Sequence, residues 1–459
     1  MSLPAADDLR ATARKKRKIE IGFLVAAFIL TAGLYLSVQA AGQATIPTSF
    51  WWVIGFTALL IICAHMAIRA LAPNATPYLL PCVVLLTGIG FSMIARIDPG
   101  LASYQSLWIA VGIVAFVATL YLLRDYRTLD EWRYTAMIIA LILLLLPLAP
   151  IIGKEVNGAR LWIQVGPLNF QPVEIAKILL VIFFASYLAE NRELLAIPTR
   201  HFGRMGIPDV KHFGPLIVVF AFSILILIFE NDLGQSVLIF STFLLMLYLA
   251  TSRAVYSLVG LGLFALGTWI AFLLFDRVAV RFQGWLAPFN PETIKVETFQ
   301  ISQSLFAIAS GGLFGTNPGL GRPEQIPEAS SDFIFAIITQ ETGLVGATGV
   351  MLLFVLFVTI GVRTALRCED SFGKLLGAGL ASLVGIQAFI IIAGVTRLIP
   401  LTGITLPFVS YGGSSIFSNF IILGILIAIS DQVTAGPRGS GWRSRKPVEV
   451  GEKLPVGAV

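Results

Sequence analysis

The sequence predicts an all-α polytopic membrane protein of about twelve transmembrane helices, and three observations carry that prediction. Of its 459 residues, 57% are hydrophobic and only 13% are charged, against roughly a quarter charged in a soluble domain. The apolar residues gather into runs long enough to cross a bilayer, which takes about 20 residues per helix. The basic residues fall in alternate loops, as the positive-inside rule requires. Backbone groups in lipid must satisfy one another, so open apolar runs of this kind become helices.

The runs lie approximately at 19–42, 51–71, 77–97, 104–123, 133–152, 172–190, 213–230, 232–251, 254–276, 332–362, 374–397 and 405–430. The run from 332 exceeds one bilayer crossing, so part of it tilts or projects. Residues 1–18 end in Arg14-Lys15-Lys16-Arg17-Lys18, a basic cytoplasmic arm of a kind that suits anionic lipid. Ser37-Val38-Gln39-Ala40 loosely resembles a signal-peptidase site. The apolar core before it exceeds the usual ~7–15 residues, so the first run reads as an uncleaved helix; either way Gln43 ends outside. Most of the 32 Lys and Arg then lie inside, while Arg96, Lys154, Arg160, Arg277, Arg281, Lys295, Arg322 and Arg397 lie outside. Both termini are expected in the cytoplasm. The tail 432–459, rich in Gly, Pro and basic residues, reads as disordered.

The net charge of +6 follows this topology and is no footprint of nucleic acid. Cys63 and Cys82 lie in apolar runs and Cys368 in a short basic loop, so nothing reads as a disulfide framework. His65, His201 and His212 are isolated, whereas a zinc site gathers three or four ligands. A Walker phosphate loop, an Asp-x-Asp motif and a Gly-x-Ser-x-Gly elbow are all missing.

Two outside loops, 153–171 and 277–331, stand out. The second is far longer than the usual median of ~4–6 residues, and long loops on rigid scaffolds carry function. Within it, 299–308 reads either as an amphipathic helix lying on the membrane or as a packed lid helix. The stretch 322–346 places Glu324, Glu328, Asp332 and Glu341 at the mouth of an apolar run, where ionisable groups are costly. Asp332 is either a helix N-cap or a general base whose apolar neighbours raise its proton affinity. Glu341, further in, is a second polar contact. Glu174 and Lys177 share one helix face at i and i+3, as a buried ion pair or as the wall of a polar cavity. Asp232, in the short turn Glu230-Asn231-Asp232, reads as a helix cap. Pro400, Gly403, Pro407, Gly412 and Gly413 interrupt 397–415; such breaks at membrane depth line a cavity or are buried in protein. Ser414 and Arg397 border that stretch.

Five pieces together resemble the SEDS family (shape, elongation, division and sporulation; RodA, FtsW and SpoVE). They are GARLWIQVGPLNFQPVEIAK (158–177), NDLGQSV (231–237), QSLFAIASGGLFG (303–315), IPEASSDFIFAI (326–337) and LIPLTGITLPFVSYGGSS (398–415). The stretch 394–403 is more similar to the RodA branch than to FtsW. The resemblance implies a ten-helix core at 77–431, with the outer loop 277–331. Two additional N-terminal helices at 19–76 resemble those of some actinobacterial members. It further implies a peptidoglycan glycosyltransferase polymerising lipid II, the lipid-linked disaccharide-peptide precursor, outside the cytoplasmic membrane for elongation and shape. The alternatives are a division polymerase of the FtsW kind, a lipid II flippase and, less well matched, a major-facilitator transporter.

Carried over by position, the family's essential aspartate is Asp332, in Pro327-Glu328-Ala329-Ser330-Ser331-Asp332-Phe333. Its cavity pair is Glu174 and Lys177, and its outer-loop tryptophan is Trp162. Lys177, Arg160 and Arg397 are candidate cations for diphosphate charge; Glu328 and Ser414 are candidate substrate contacts. No metal ligands are assigned; a divalent cation such as Mg or Mn is the one cofactor considered. A class B penicillin-binding protein is the partner implied, alongside membrane lipid. The chain departs from the family pattern at Ser330-Ser331, Gln340 and Asn231; none of these is assigned to chemistry.

Overall fold

The computed structural model describes residues 6–41, 48–149, 152–156, 159–165, 168–196, 200–202, 205–207, 210–229, 232–290 and 298–435. The expectations for Gln43, for Glu230 and Asn231, and for the tail beyond 435 lie outside the described residues.

A helix stands at each of the twelve expected spans. The first four are α1 (Ala6–Ala41), α2 (Thr48–Leu71), α3 (Leu79–Ile97) and α4 (Pro99–Leu122). A short α5 (Thr128–Glu131) leads into α6 (Arg133–Leu145), α7 (Val173–Ala196), α8 (Val210–Phe229), α9 (Leu233–Thr251) and α10 (Ala254–Leu274). The outer loop carries α11 (Asp276–Leu286) and α12 (Phe299–Gly311), and α13 (Ile334–Leu366), α14 (Ser371–Val395) and α15 (Gly413–Ala435) complete the bundle. Among the described residues, nine helices are long and apolar enough to cross a membrane. Helices α6 and α8 contribute shorter apolar stretches. Helix α7 has the length, at 24 residues, but carries Glu174, Lys177, Glu190, Arg192 and Glu193.

Helices α14 and α15 are the most enclosed, with 78% and 83% of their apolar windows buried, so they form the centre. Helix α15 packs along α4, α14 along α13, and α7 between α6, α9 and α14. Helix α10 buries none of its apolar window and stands at the periphery.

Four features add to these expectations. At Lys16 and Arg17 the basic arm is part of α1, which is continuous through it. Lys16 Nζ donates to Asn74 O at 2.6 Å, and Arg17 is buried, bonded to Glu20 and to Ala75 O. Glu20 in turn meets His65 Nδ1 at 2.6 Å. Helix α15 starts at Gly413 instead of 405, because 398–412 is non-helical, as its prolines and glycines dictate. Helix α13 is broken at Gly343, whose φ of 67° and ψ of −171° suit glycine alone. Within the first outer loop, β1 (Gly153–Val156), β2 (Ala159–Val165) and β3 (Leu168–Phe170) form an antiparallel sheet in chain order. A second small hairpin joins β4 (Arg200–Phe202) and β5 (Met205–Ile207).

Of the two readings for 299–308, the structure takes the packed lid. Helix α12 lies against α13 and buries Ile301, Ser302, Ser304 and Ala307.

Candidate active site

The site is assembled around Asp332, in the turn that precedes α13. Two backbone-directed bonds fix that turn: Tyr411 N donates to Ser330 O at 2.8 Å, and Ser410 Oγ to Ser331 O at 2.6 Å. The non-helical segment 398–412 is therefore the floor on which the turn rests. Asp332 does not cap α13, whose N-terminus takes no side-chain bond. Its half-buried carboxylate has no hydrogen-bond or ion-pair partner among the described residues. Burial pushes that carboxyl up to about 7; Glu328 adds to the rise, Arg281 opposes it, and Asp232 adds a smaller push. A carboxylate that is ionised near neutrality and free to accept a proton is what a general base needs.

Gly403 stands beside both Asp332 and Arg281. Its φ is +72°, and a Cβ there would stand 3.4 Å from Asp332 Oδ2 and 3.5 Å from Arg281 Nη2. These are ordinary contact distances, so the left-handed φ is what favours glycine here. Arg281, on α11, is held by Nη1 donating to Thr402 O at 3.0 Å.

Asp232 has the cap role expected of it, accepting from Gln235 N at 3.0 Å. It does more, because Gln171 Nε2 donates to its other oxygen at 3.2 Å. Standing just before α9, it is pushed up to about 6 by burial; the Gln235 N–H and Arg281 oppose this, and Glu174 adds to it.

Deeper in, Glu174 and Lys177 form a 2.6 Å ion pair, each side chain 1% exposed. The pair is not isolated. Ser418 Oγ and Gln235 Nε2 donate to Glu174 at 2.7 and 3.3 Å, and Lys177 Nζ donates to Gln387 at 2.9 Å. Gln387 Nε2 then bonds Thr405 O at 2.7 Å. The ion pair thus ties α7, α9, α14 and α15 to the same 398–412 segment that supports Asp332. The geometry is that of the ordering ion pair, with both side chains enclosed in the bundle.

The remaining expected residues are placed less centrally. Ser414 is buried and accepts from Gln171 N at 2.8 Å, joining the outer sheet to α15. Trp162 is half-buried and Arg160 exposed on β2, two residues apart and so on one face of the strand. Glu328 is exposed with φ +54°, its carboxylate receiving Ser331 Oγ at 3.1 Å. Arg397 is engaged elsewhere: Nε and Nη2 donate to Trp285 O and Leu286 O at 2.7 and 2.9 Å, satisfying carbonyls at the end of α11. Glu341 is fully buried and accepts from Gly319 N at 2.8 Å. Arg96 closes the same clamp by donating to Gly319 O and Gly321 O. Glu341→Ala leaves that buried N–H without a partner, and a loss of about 1–3 kcal/mol is expected, read as a lower melting temperature.

Reasoning from sequence missed Gln171, Gln235, Gln387, Ser418 and Arg281. Gln235, Gln387 and Ser418 lie within apolar spans, and intramembrane polarity was the available signal. Arg281 offered none, being one basic residue in a long loop.

Beside this centre lies an apolar cavity of about 1010 Å³ between α8, α9 and α10, lined by Phe220, Phe243 and Phe264 and reaching Thr402 and Arg281.

The chain matches the family model FTSW_RODA_SPOVE, described as "Cell cycle protein", over residues 99–435. It is 42% identical over 432 residues to the peptidoglycan glycosyltransferase RodA of Mycobacterium tuberculosis, covering 90% of each chain. Among solved structures it is similar to a chain of a peptidoglycan synthase complex that coordinates polymerization and crosslinking. There the TM-score is 0.63 and the identity 25%, over 77% of this chain and 97% of that one. It is also similar to the rod shape determining protein RodA of Thermus thermophilus, with TM-score 0.55 and 26% identity over 77% and 96%. The twelve-helix bundle and these likenesses agree: the chain belongs to the FtsW/RodA/SpoVE family of cell cycle proteins.

Proposed function

We infer that this protein is a peptidoglycan glycosyltransferase that polymerises lipid II on the outer face of the cytoplasmic membrane. The observation that carries the reading is the half-buried Asp332 carboxylate, with no hydrogen-bond partner among the described residues and pushed up to about 7. Asp332 takes the proton from the 4-hydroxyl of the acceptor GlcNAc. That oxygen attacks the anomeric carbon of the donor MurNAc, and undecaprenyl diphosphate leaves with inversion. The apolar cavity beside Arg281 and Thr402 suits a long hydrocarbon chain, and the Glu174–Lys177 network holds the polar floor.

A divalent cation would neutralise diphosphate charge, but the described residues gather no dedicated site. Among the described residues no group of three or more His, Cys, Asp or Glu is gathered to hold one. The proton transfer above is carried by side chains.

Twelve crossings return both termini to one side, and the positive-inside pattern makes that side cytoplasmic. A class B penicillin-binding protein is the partner we propose. It fits a relative described as part of a complex that coordinates polymerization and crosslinking.

The test is polymerisation of labelled lipid II by the purified chain in proteoliposomes, with and without the transpeptidase. Glycan polymer is expected, in greater yield with the partner. Lipid translocation with no polymer in either arm would replace the enzyme by a flippase.

A further inference from the structure

The three cations that the sequence offers for a diphosphate, together with Arg281, stand in different surroundings. Lys177 is buried and bonded to Glu174 and Gln387. Arg397 is spent on the carbonyls of Trp285 and Leu286. Arg160 lies exposed on the outer sheet. Arg281 stands across Gly403 from Asp332, anchored to Thr402 O, and lines the apolar cavity between α8, α9 and α10. It thus combines the two features a lipid diphosphate requires: a guanidinium for the phosphates and an apolar slot for the chain, beside the candidate base.

We propose that Arg281 is the residue that receives the departing diphosphate of the lipid-linked donor, and that the same guanidinium faces Asp332 until the donor binds. This rests on the glycosyltransferase reading above. In the step, the acceptor hydroxyl proton passes to Asp332 as the new oxygen–carbon bond forms. The anomeric carbon–oxygen bond to the diphosphate breaks, and its electron pair leaves on the diphosphate. The negative charge gained there develops beside Arg281, where a fixed cation in a water-poor pocket acts most strongly. A planar guanidinium also pairs with phosphate through two parallel bonds, which an ammonium cannot do.

The sharing has a consequence for pH. The charged groups facing Asp332 are Glu328 on its own turn, Arg281 from α11 and Asp232 from the head of α9. Arg281 is the cation among them, and it favours the ionised acid. Without it Asp332 holds its proton to higher pH, so the acidic limb of kcat/KM, expected where the native carboxyl ionises at about 7, moves upward.

The experiment compares the full-length native chain with Arg281→Gln, Arg281→Lys and, as a control at the opposite end of α13, Arg363→Gln. Each is assayed with labelled lipid II across pH and with undecaprenyl diphosphate as inhibitor. For Arg281→Gln we expect kcat/KM to fall about 10²–10³-fold, the range for loss of one transition-state donor. Inhibition by undecaprenyl diphosphate weakens at least about tenfold, the arithmetic of one lost charge contact, and the acidic limb rises. Arg281→Lys restores the limb and part of the rate; Arg363→Gln matches the native chain. Should Arg281→Gln be poorly folded, Arg281→Lys decides, because losing bidentate contact still weakens diphosphate inhibition. Unchanged inhibition and an unmoved limb in folded variants overturn the proposal. A native chain that makes no polymer overturns the glycosyltransferase reading instead, so the two failures are distinct.

Discussion

Asp332→Asn is expected to lower glycan polymer yield by about 10²–10⁴-fold, the usual worth of a positioned general base. The substitution keeps the shape of the side chain. Because the carboxylate has no hydrogen-bond partner among the described residues, no structural bond is lost with it. Folding should therefore survive, and the sign of the stability change follows from proton binding. The folded carboxyl keeps its proton up to about 7, against an ordinary value of 3.8. Between those values the folded state binds more protons than the unfolded one, so this residue's contribution to stability falls as pH rises. Above pH 7 the Asn variant is expected to melt at or above the native temperature while making almost no polymer. In the native chain, activity should climb with pH through about 7, as the base loses its proton. Normal polymer yield from a folded Asn variant would remove Asp332 from the chemistry.

Lys177→Met is expected to be among the most damaging single changes to folding. It removes the ammonium and leaves Glu174, 1% exposed, as a buried charge without its counter-ion. Breaking one side of a buried pair costs about 3–5 kcal/mol. Ser418 and Gln235 would still donate to the carboxylate, which keeps the loss toward the lower end. The double change Lys177→Met with Glu174→Gln should recover much of the melting temperature, because no buried charge is stranded. Its activity separates the roles: stability restored without polymer identifies the pair as part of the working cavity, and restoration of both identifies it as scaffold.

Most of the fold was legible because a bilayer reduces the problem to one dimension. Length and hydropathy locate α1 to α4 and α13 to α15. Helix α7 was legible despite five charged residues because the run Ile178–Ala189 is apolar apart from Ser186 and Tyr187. The sheet at 153–170 was not, since strands this short give no clear alternation. The Asn157-Gly158 pair in the sequence was a hairpin signal that hydropathy outweighed. At the candidate site, Asp332 announced itself as a charge beside an apolar run. Its relation to Arg281 could not be seen, because the two are joined through Gly403, in a third segment remote from both. Arg397 shows the reverse difficulty: a cation at a promising place in the chain whose donors are taken by Trp285 and Leu286.

The Gly319–Glu341 bond spans 22 residues, and Asp332 lies between its two ends. The segment is thus a non-covalent ring, tied to the 398–412 segment by Ser410 and Tyr411. A ring of this kind fixes its contents independently of the chain that feeds it, since lengthening a connection outside adds little closure entropy. Length changes confined to the chain between α11 and α12 therefore add little closure cost to the ring that carries Asp332.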